Sequence, residues 1–293
     1  MRYRVRHRTT YGYAEPVSLG YTLARLAPRT FPGQTCRSST IEVDPAPDDR
    51  SERVDAFGNL VTWFAIERPH SHLTVTATSD VVVEGEPALP ALASPEPWDE
   101  VASWLRSASG AAAVDARPFV LPSARARPDA AVAAYAARSF TPGRPLLDAV
   151  LDLMRRIHAD VEYDPGSTTV STPPHEVLTL RRGVCQDMAH LAIACVRSQG
   201  LAARYVSGYL ETDPPPGREK LVGTDASHAW FAVHVPDLGW IDLDPTNDRP
   251  IGERHITVAW GRDYGDVAPV AGVLYAGGRG QRLEVAVDVD RVG

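Results

Sequence analysis

Alternating hydrophobic and polar positions dominate the first part of the chain. Short runs of this kind, RYRVRHRTTY, SSTIEVDP, NLVTWFAI and HLTVTATSDVVV, are separated by turn-forming residues such as Gly58 and Asn59. A period of two places successive side chains on opposite faces of a sheet, as in strands that are buried on one face. Short strands that follow one another at close intervals are typical of two packed antiparallel sheets. The pattern therefore predicts an N-terminal antiparallel β-sandwich over residues 1–85.

After residue 85 the alternating pattern ends, and helical spacing of the apolar residues follows. Residues 86–130 are rich in Pro and Ala, and they predict a linker with short helices. From there, apolar residues such as Leu147, Val150 and Met154 recur at helical spacing. A second helical run, GVCQDMAHLAIACVRSQG, ends at Gly200, a residue type that often terminates helices.

Three strand patterns follow this second helix, namely LAARYVSGYL, HAWFAVHV and GWIDLDP. The last two are joined by a short turn over residues 236–239, and the C-terminal AGVLYAGGRGQRLEVAVDV predicts a further hairpin. Helices followed by strands indicate an α+β class, with a helix packed on an antiparallel sheet. We assign residues 131–293 to this second domain, including the hairpin.

Composition and charge narrow the possible partners. The chain has 293 residues, 44% of them hydrophobic, which is enough for a packed core. A net charge of -7 gives no basic excess, so we expect no nucleic acid partner. Neither a signal-peptide pattern nor a run of about 18 apolar residues occurs, so we expect no membrane association and a cytoplasmic location. Three cysteines do not make a dense, even disulfide framework, and free thiols are expected.

Cys185 stands at the start of the second helical run. A thiol at a helix N-terminus faces unpaired backbone N–H groups and the positive end of the helix dipole, and both stabilise a thiolate. The same N–H groups can hold an oxyanion. Taken alone, a cysteine on an Ala-rich helix is more often a small core residue. The residues downstream favour a nucleophile instead.

His228 and Asp244 lie at opposite ends of neighbouring strands, the first opening HAWFAVHV and the second closing GWIDLDP. The start of one antiparallel strand and the end of the next share a sheet edge, so the two side chains can meet. An imidazole oriented by a carboxylate is the base that activates a cysteine. If Val235 pairs with Trp240, however, His228 and Asp244 point to opposite faces unless a bulge intervenes. Asp242 has the same parity, and counting alone does not choose between the two acids.

The ordered segments GVCQDMAHL, LAARYVSGYL, SHAWFAVHV and GWIDLDPTN resemble the transglutaminase-like core of many bacterial proteins. The resemblance covers about residues 148–247 and implies a papain-like fold with Cys185 as nucleophile, His228 as base and Asp244 as acid. YGYAEPV and DAFGN are similar to the β-rich region that precedes this core in one bacterial branch. HITVAWGRDYGDVAPVAG is similar to the tail of the same branch, which implies that residues 261–264 pack near the site.

Other residues are weaker candidates for substrate contacts. The resemblance suggests Tyr163 as an aromatic residue that helps to hold the oxyanion, and a packed aromatic at a helix end explains it equally well. Gln186 could bind substrate, although a glutamine in a first helical turn is usually solvated. Trp230 could line a substrate groove, although core packing would also explain it. Asp187 is favoured in the first turn by the helix dipole alone. The polar segment 211–227 predicts a flap over the site.

A metal site is not expected. His190 lies five residues beyond Cys185, well around the helix, so the two cannot easily act together, and a buried histidine is the simpler reading. Cys195 is expected in the core. HExxH and CxxC pairs do not occur in the sequence, and we expect neither a metal nor another cofactor.

These residues predict an enzyme that attacks amide bonds of peptide or protein substrates and forms a thioester with Cys185. Water as the acceptor would make it a peptidase or amidase, which the commonly assigned activity of the bacterial relatives favours. An amine acceptor would make it a transglutaminase or peptide ligase. A non-catalytic binding module is the third alternative, and its mark, a substituted triad residue, is not seen. Side-chain specificity and oligomeric state stay open.

Overall fold

The computed structural model describes residues 1–84, 95–212, 226–275 and 280–292. The strands are β1 (Arg2–Val17), β2 (Leu19–Ala24), β3 (Gln34–Asp44), β4 (Asp49–Val54), β5 (Leu60–Ile66), β6 (His70–Val83), β7 (Glu162–Tyr163), β8 (Arg182–Gly183), β9 (Ala203–Leu210), β10 (Ala226–Val235), β11 (Gly239–Asp244), β12 (Arg249–Pro250), β13 (His255–Gly261), β14 (Val270–Tyr275) and β15 (Arg282–Arg291). The helices are α1 (Trp98–Ser107), α2 (Ala111–Ala116), α3 (Ala130–Ala137), α4 (Leu146–Asp160), α5 (Pro174–Leu180), α6 (Cys185–Ser198) and α7 (Tyr264–Val267), with a 3₁₀ turn at Arg117–Phe119.

Two four-stranded antiparallel sheets form the predicted β-sandwich. Their strand orders are β15-β1-β6-β3 and β14-β2-β5-β4. In β1 the buried side chains alternate as predicted, with Tyr3, Val5 and His7 inside. Phe64 from one sheet and Val75 from the other are fully buried in one hydrophobic cluster, so the two sheets share a core.

The C-terminal strands belong to this sandwich. β15 pairs with β1, from Tyr3 opposite Arg291 to Gly12 opposite Arg282, and β14 pairs with β2. The predicted C-terminal hairpin is therefore wrong, because the two strands lie in different sheets. A local pattern of alternation predicts that a strand forms, but it carries no information on a partner at the other end of the chain.

The short helices predicted before residue 130 are present in the described part of that segment. They do not form an open linker, because Val101, Leu105 and Phe119 are buried in the cluster that also contains α4 and α6. Within the described residues, none of the helices is long and apolar enough to cross a bilayer.

A five-stranded antiparallel sheet, here called the core sheet, has the order β12-β11-β10-β9-β13. Helix α6 packs on β9 and β10, and α3, α4 and α5 pack around α6. Leu191, Ile193 and Phe231 are among the fully buried residues of this contact. This is the predicted α+β arrangement of a helix that begins at Cys185 on an antiparallel sheet. Most of the predicted flap, residues 213–225, lies outside the described residues.

The register between β10 and β11 differs by one residue from the simple count. Val235 pairs with Gly239, and Phe231 pairs with Leu243. The connection is tighter than predicted because Asp237 and Gly239 adopt left-handed backbone angles, with φ of 63° and 78°. The shift gives Asp244 the same parity as His228, so the bulge invoked to reconcile them is not needed.

Candidate active site

Cys185 is the first residue of α6, where the backbone N–H groups of the first turn lack intrahelical acceptors. The Asp187 carboxylate accepts hydrogen bonds from the Val184 N–H at 2.8 Å and from the Thr168 hydroxyl at 2.6 Å. A side chain at position 183 would place its Cβ only 2.9 Å from the Cβ of Asp187, so Gly183 allows this close approach. Asp187 therefore fixes the turn that presents the thiol.

His228 and Asp244 form a buried pair at the edge of the core sheet. Nε2 of His228 lies 2.7 Å from Oδ2 of Asp244, and the residues are 8% and 0% exposed. Oδ1 of Asp244 accepts hydrogen bonds from the backbone N–H groups of Thr246 at 2.9 Å and Asn247 at 3.2 Å. The Asn247 side-chain amide donates to Oδ2 at 2.7 Å. This turn holds the carboxylate in place, while Asp242 accepts instead from Trp230 Nε1 at 3.0 Å.

His228 and Asp244 each stabilise the charged form of the other. Burial lowers the pKa of His228, but hydrogen bonds and charge interactions with Asp244 and Cys185 outweigh burial and raise this pKa to about 10. Burial raises the pKa of Asp244, but hydrogen bonds from His228, His255 and Asn247 outweigh it and hold the pKa well below its ordinary value. The arrangement favours an imidazolium beside a carboxylate, with the Cys185 thiol as the next neighbour.

Cys185 and His228 line a cavity of about 330 Å³, here called the Cys185 cavity. Its lining residues come from helix α6 and the core sheet, from strands β1 and β15 of the sandwich, and from further segments that contribute Tyr163, Tyr264 and Val270. Among the described residues that line it, none is Asp, Glu, Lys or Arg. Burial lowers the pKa of its second histidine, His7, to about 4, so this residue is neutral near pH 7.

Of the weaker candidates for substrate contacts, two line the Cys185 cavity and one does not. Tyr163 and Gln186 both line the Cys185 cavity, and Tyr163 is 54% exposed. Trp230 does not: it is 0% exposed and packs between the rings of His228 and His255, at centroid distances of 6.0 and 5.4 Å. The suggestion that Trp230 contacts substrate is therefore wrong, because its indole is sealed inside the sheet layer.

The remaining predicted positions agree with the structure. His190 is buried and hydrogen-bonded, as predicted: its Nε2 accepts the backbone N–H of Tyr264 at 3.2 Å. Cys195 is fully buried in the core, where burial raises its pKa. Tyr264 lines the Cys185 cavity, as the resemblance of residues 261–264 implied.

Sequence reasoning missed His255, the first residue of β13. It is 3% exposed, and its Nε2 lies 3.1 Å from the same Oδ2 of Asp244 that His228 contacts. Candidate metal-ligand atoms of these three residues lie within 4.8 Å of one another. The two His–Asp contacts, at 2.7 and 3.1 Å, have the length of hydrogen bonds, and the three side chains form one hydrogen-bonded cluster. No local motif marks His255, because its contact with Asp244 joins β13 to β11. Strands β9 and β10 lie between these two strands in the core sheet.

A second cavity, of about 1200 Å³, contains none of the predicted catalytic residues. It is lined by aromatic residues that include Trp240 and Trp260, with Arg204 beside both rings at 4.6 and 3.8 Å. Trp240 belongs to this cavity and is not among the residues that line the Cys185 cavity. The larger volume is therefore not the place where the thiol, the imidazole and the carboxylate meet.

Comparisons with known proteins identify the family of this chain. The Bacterial transglutaminase-like N-terminal region matches residues 3–82, and the Transglutaminase-like superfamily matches residues 133–245. An uncharacterized protein of Mycobacterium tuberculosis is 44% identical, over 98% of this chain and 92% of its own length. A protein-glutamine gamma-glutamyltransferase of Pseudomonas aeruginosa is 28% identical, over 36% of this chain and 18% of its own length.

A solved structure supports the fold. The crystal structure of a "Putative Cysteine Protease" from Cytophaga hutchinsonii superposes with a TM-score of 0.73 at 23% identity, covering 100% of this chain and 92% of that chain. A helix that begins at a cysteine and packs on an antiparallel sheet with a His–Asp pair defines the papain-like class of cysteine-based enzymes. Within that class, this chain belongs to the bacterial transglutaminase-like superfamily.

Proposed function

We propose that the protein is a cysteine peptidase or amidase with Cys185, His228 and Asp244 as its catalytic triad. The observation that carries the proposal is the buried 2.7 Å hydrogen bond between Asp244 and His228, the histidine that lines the same cavity as Cys185. Because Asp244 engages Nε2 of the imidazole, Nδ1 is the nitrogen left to exchange a proton with the thiol. Peptides and proteins are the proposed substrates, and the location we propose is cytoplasmic.

The reaction follows from these positions. Sγ of Cys185 attacks the carbonyl carbon while its proton resides on His228, and a tetrahedral oxyanion forms. The backbone N–H of Cys185 points from the helix N-terminus and stabilises this oxyanion, with the Tyr163 hydroxyl on the same cavity wall. His228 then gives its proton to the leaving amine, and a thioester remains on Cys185.

The acceptor decides between two activities. Hydrolysis transfers the acyl group to water and releases a free acid, and the designation of the similar Cytophaga hutchinsonii protein as a cysteine protease supports this activity by analogy. Transfer to a primary amine would instead make a new amide, and the similarity to the Pseudomonas aeruginosa glutamyltransferase supports this alternative. Product masses from a peptide amide, with and without a primary amine, separate the two. We expect the free acid in both reactions, and an amine adduct as the main product would replace hydrolysis with transfer.

Alkylation of Cys185 tests the triad itself. An ordinary thiol with a pKa of about 8.5 is only about 1% thiolate at pH 6.5. We expect wild-type Cys185 to react with iodoacetamide at this pH at least about tenfold faster than in the unfolded chain. His228→Ala should remove this advantage, as read by mass spectrometry of the Cys185 peptide.

His234→Ala is the matched control, because His234 is a buried histidine on the same strand but does not line the Cys185 cavity. It should leave the alkylation rate within about twofold of wild type. If Cys185 reacts no faster in the folded protein than in the unfolded chain, the proposed triad is wrong, and a binding module becomes the better reading.

A further inference from the structure

His255 has a defined protonation state that follows from its neighbours. Its Nδ1 accepts a hydrogen bond from the backbone N–H of Gly252 at 3.2 Å. An imidazole nitrogen that accepts a hydrogen bond carries no proton, so the ring is neutral and its proton is on Nε2. That N–H therefore donates to Oδ2 of Asp244, at 3.1 Å.

The surroundings leave the His255 ring little freedom. Trp230 packs edge-on against it, with an interplanar angle of 84°. The same strand is tied to the sandwich two residues later, where the Gln34 side chain donates to the Thr257 carbonyl at 2.7 Å and accepts the Thr257 N–H at 2.8 Å. The donor that His255 presents to Asp244 is thus fixed in position before substrate arrives.

Asp244 is buried, and a buried carboxylate stays ionised only when donors replace its lost water. Oδ2 receives three side-chain donors, from His228, Asn247 and His255. Asn247 lies in the same turn as Asp244, whereas His255 approaches from another strand of the core sheet. His255 is therefore the donor that fixes Asp244 from the side away from its own turn.

We propose that His255 is a positioning residue for acyl transfer, which keeps the Asp244 carboxylate ionised and aimed at Nε2 of His228. This inference rests on the proposed triad. His255 acts on Asp244 through its Nε2, at 3.1 Å from Oδ2. Its effect on Cys185 is indirect, because a well-placed carboxylate stabilises the His228 imidazolium, and the imidazolium stabilises the thiolate.

Other charged groups lie near His255. Asp242 of β11 interacts electrostatically with it, and the charged residues that line the same small cavity are Glu211, Arg249, Glu253 and Arg254. Glu211 is paired with Arg254 at 3.3 Å and with Arg291 at 2.6 Å. Asp244 and His228 are thus the titrating groups that its Nε2 faces directly.

The experiment compares His255→Leu with His255→Gln. Leucine removes the donor, whereas the glutamine side-chain amide can place an N–H near the position of Nε2. A less stable imidazolium favours the neutral thiol and imidazole, so the thiolate appears only at higher pH. We expect the midpoint for Cys185 alkylation to rise by about one pH unit in His255→Leu and to return toward wild type in His255→Gln. Melting temperatures are measured alongside.

His234→Leu is the control, since it also replaces a buried histidine of the core sheet but has no contact with Asp244 in the described hydrogen bonds. A lower melting temperature of His255→Leu with an unchanged pH midpoint would show that His255 is only structural and would overturn the inference. If His255→Leu does not fold, His255→Asn replaces it, because its shorter amide cannot reach Asp244. The proposed triad is tested separately, by alkylation of the wild type and of His228→Ala before any His255 variant is compared. If the Cys185 thiolate reactivity of the wild type does not depend on His228, the triad itself is refuted.

Discussion

Asp244 shows how a single residue acquires its role from its hydrogen-bond partners. Asp242 is two residues away on the same strand and on the same face, and it is paired with Arg204 at 3.6 Å. Burial raises the pKa of Asp242, whereas the donors around Asp244 overcome burial and lower its pKa. The two acids have the same parity on β11, so parity alone could not separate them, whereas the turn after β11 donates hydrogen bonds only to Asp244 among these two.

Replacement of Asp244 by Asn tests this assignment. The amide keeps the shape but cannot stabilise an imidazolium, so we expect the rate of acylation by a peptide amide to fall by about two orders of magnitude or more. Asp242→Asn should have a much smaller effect on that rate, because the Asp242 carboxylate is bonded to Trp230 and Arg204 rather than to His228. Comparable losses in both variants would contradict the choice of Asp244.

The raised pKa of His228 also links stability to pH. A group whose pKa is higher in the folded protein stabilises the fold fully below its unfolded pKa, here about 6.5, and loses this contribution as pH rises through about 10. We expect the melting temperature of wild type to exceed that of His228→Gln most at pH 6, and the gap to narrow by pH 10. A gap that widens with pH would mean that Asp244 does not hold a charged His228.

At the scale of elements, the core sheet depends on one close approach between strands. Gly208 of β9 pairs with His228 of β10. A Cβ at this position would lie 2.2 Å from the Ile256 carbonyl oxygen and 2.4 Å from the Trp230 ring. Because Gly208 has no side chain, the Trp230 ring can pack there, next to the His–Asp pair. The pairing of the strands and the packing of the site therefore depend on the same residue.

Gly208→Ala should therefore disturb both the pairing of the core-sheet strands and the candidate active site. We expect a loss of about 1–3 kcal/mol of stability from overpacking, together with slower alkylation of Cys185. Gly110→Ala is the matched control, because a Cβ at Gly110 meets nothing within 4 Å. Chemical denaturation measures the free energy of unfolding of both variants. Equal stability of Gly208→Ala and Gly110→Ala would show that the sheet can relax around the extra methyl group.

The secondary-structure elements could be predicted where they depend on residues close together in the sequence. The alternation in β1, the helical run from Cys185 and the strands that carry His228 and Asp244 all follow from side-chain periodicity. The register after Val235 was not, because it depends on the backbone angles of Asp237 and Gly239. His255 was not either, because its contact with Asp244 joins strands that are not adjacent in the core sheet.

At the scale of the whole molecule, the sandwich contributes directly to the candidate active site. Thr9 and Tyr11 of β1 and Leu283 and Val285 of β15 line the Cys185 cavity together with residues of the core. Leu283 is 56% exposed and Val285 48% exposed, so both present apolar surface to a bound substrate. The domain that seemed separate in the sequence therefore forms one wall of the cavity.

Leu283→Asp should change substrate use without changing the nucleophile. We expect acylation by an apolar peptide amide to slow by about tenfold, the size of about 1.4 kcal/mol of lost apolar contact, while iodoacetamide alkylation of Cys185 stays the same. Val273→Asp is the control, since Val273 is 58% exposed but does not line the cavity. Equal acylation rates in the two variants would count against a role for β15 in substrate binding.

The pairing of β1 with β15 has a consequence for how the protein is made. During synthesis β1 and β2 leave the ribosome first, while β15 and β14, the strands that complete their sheets, come last. Until then the unpaired backbone groups of β1 and β2 are open to wrong partners. A nascent chain already holds Cys185 and His228 before β15 exists. The cavity around the thiol therefore gains the wall formed by Leu283 and Val285 only when β15 has been made and has paired with β1.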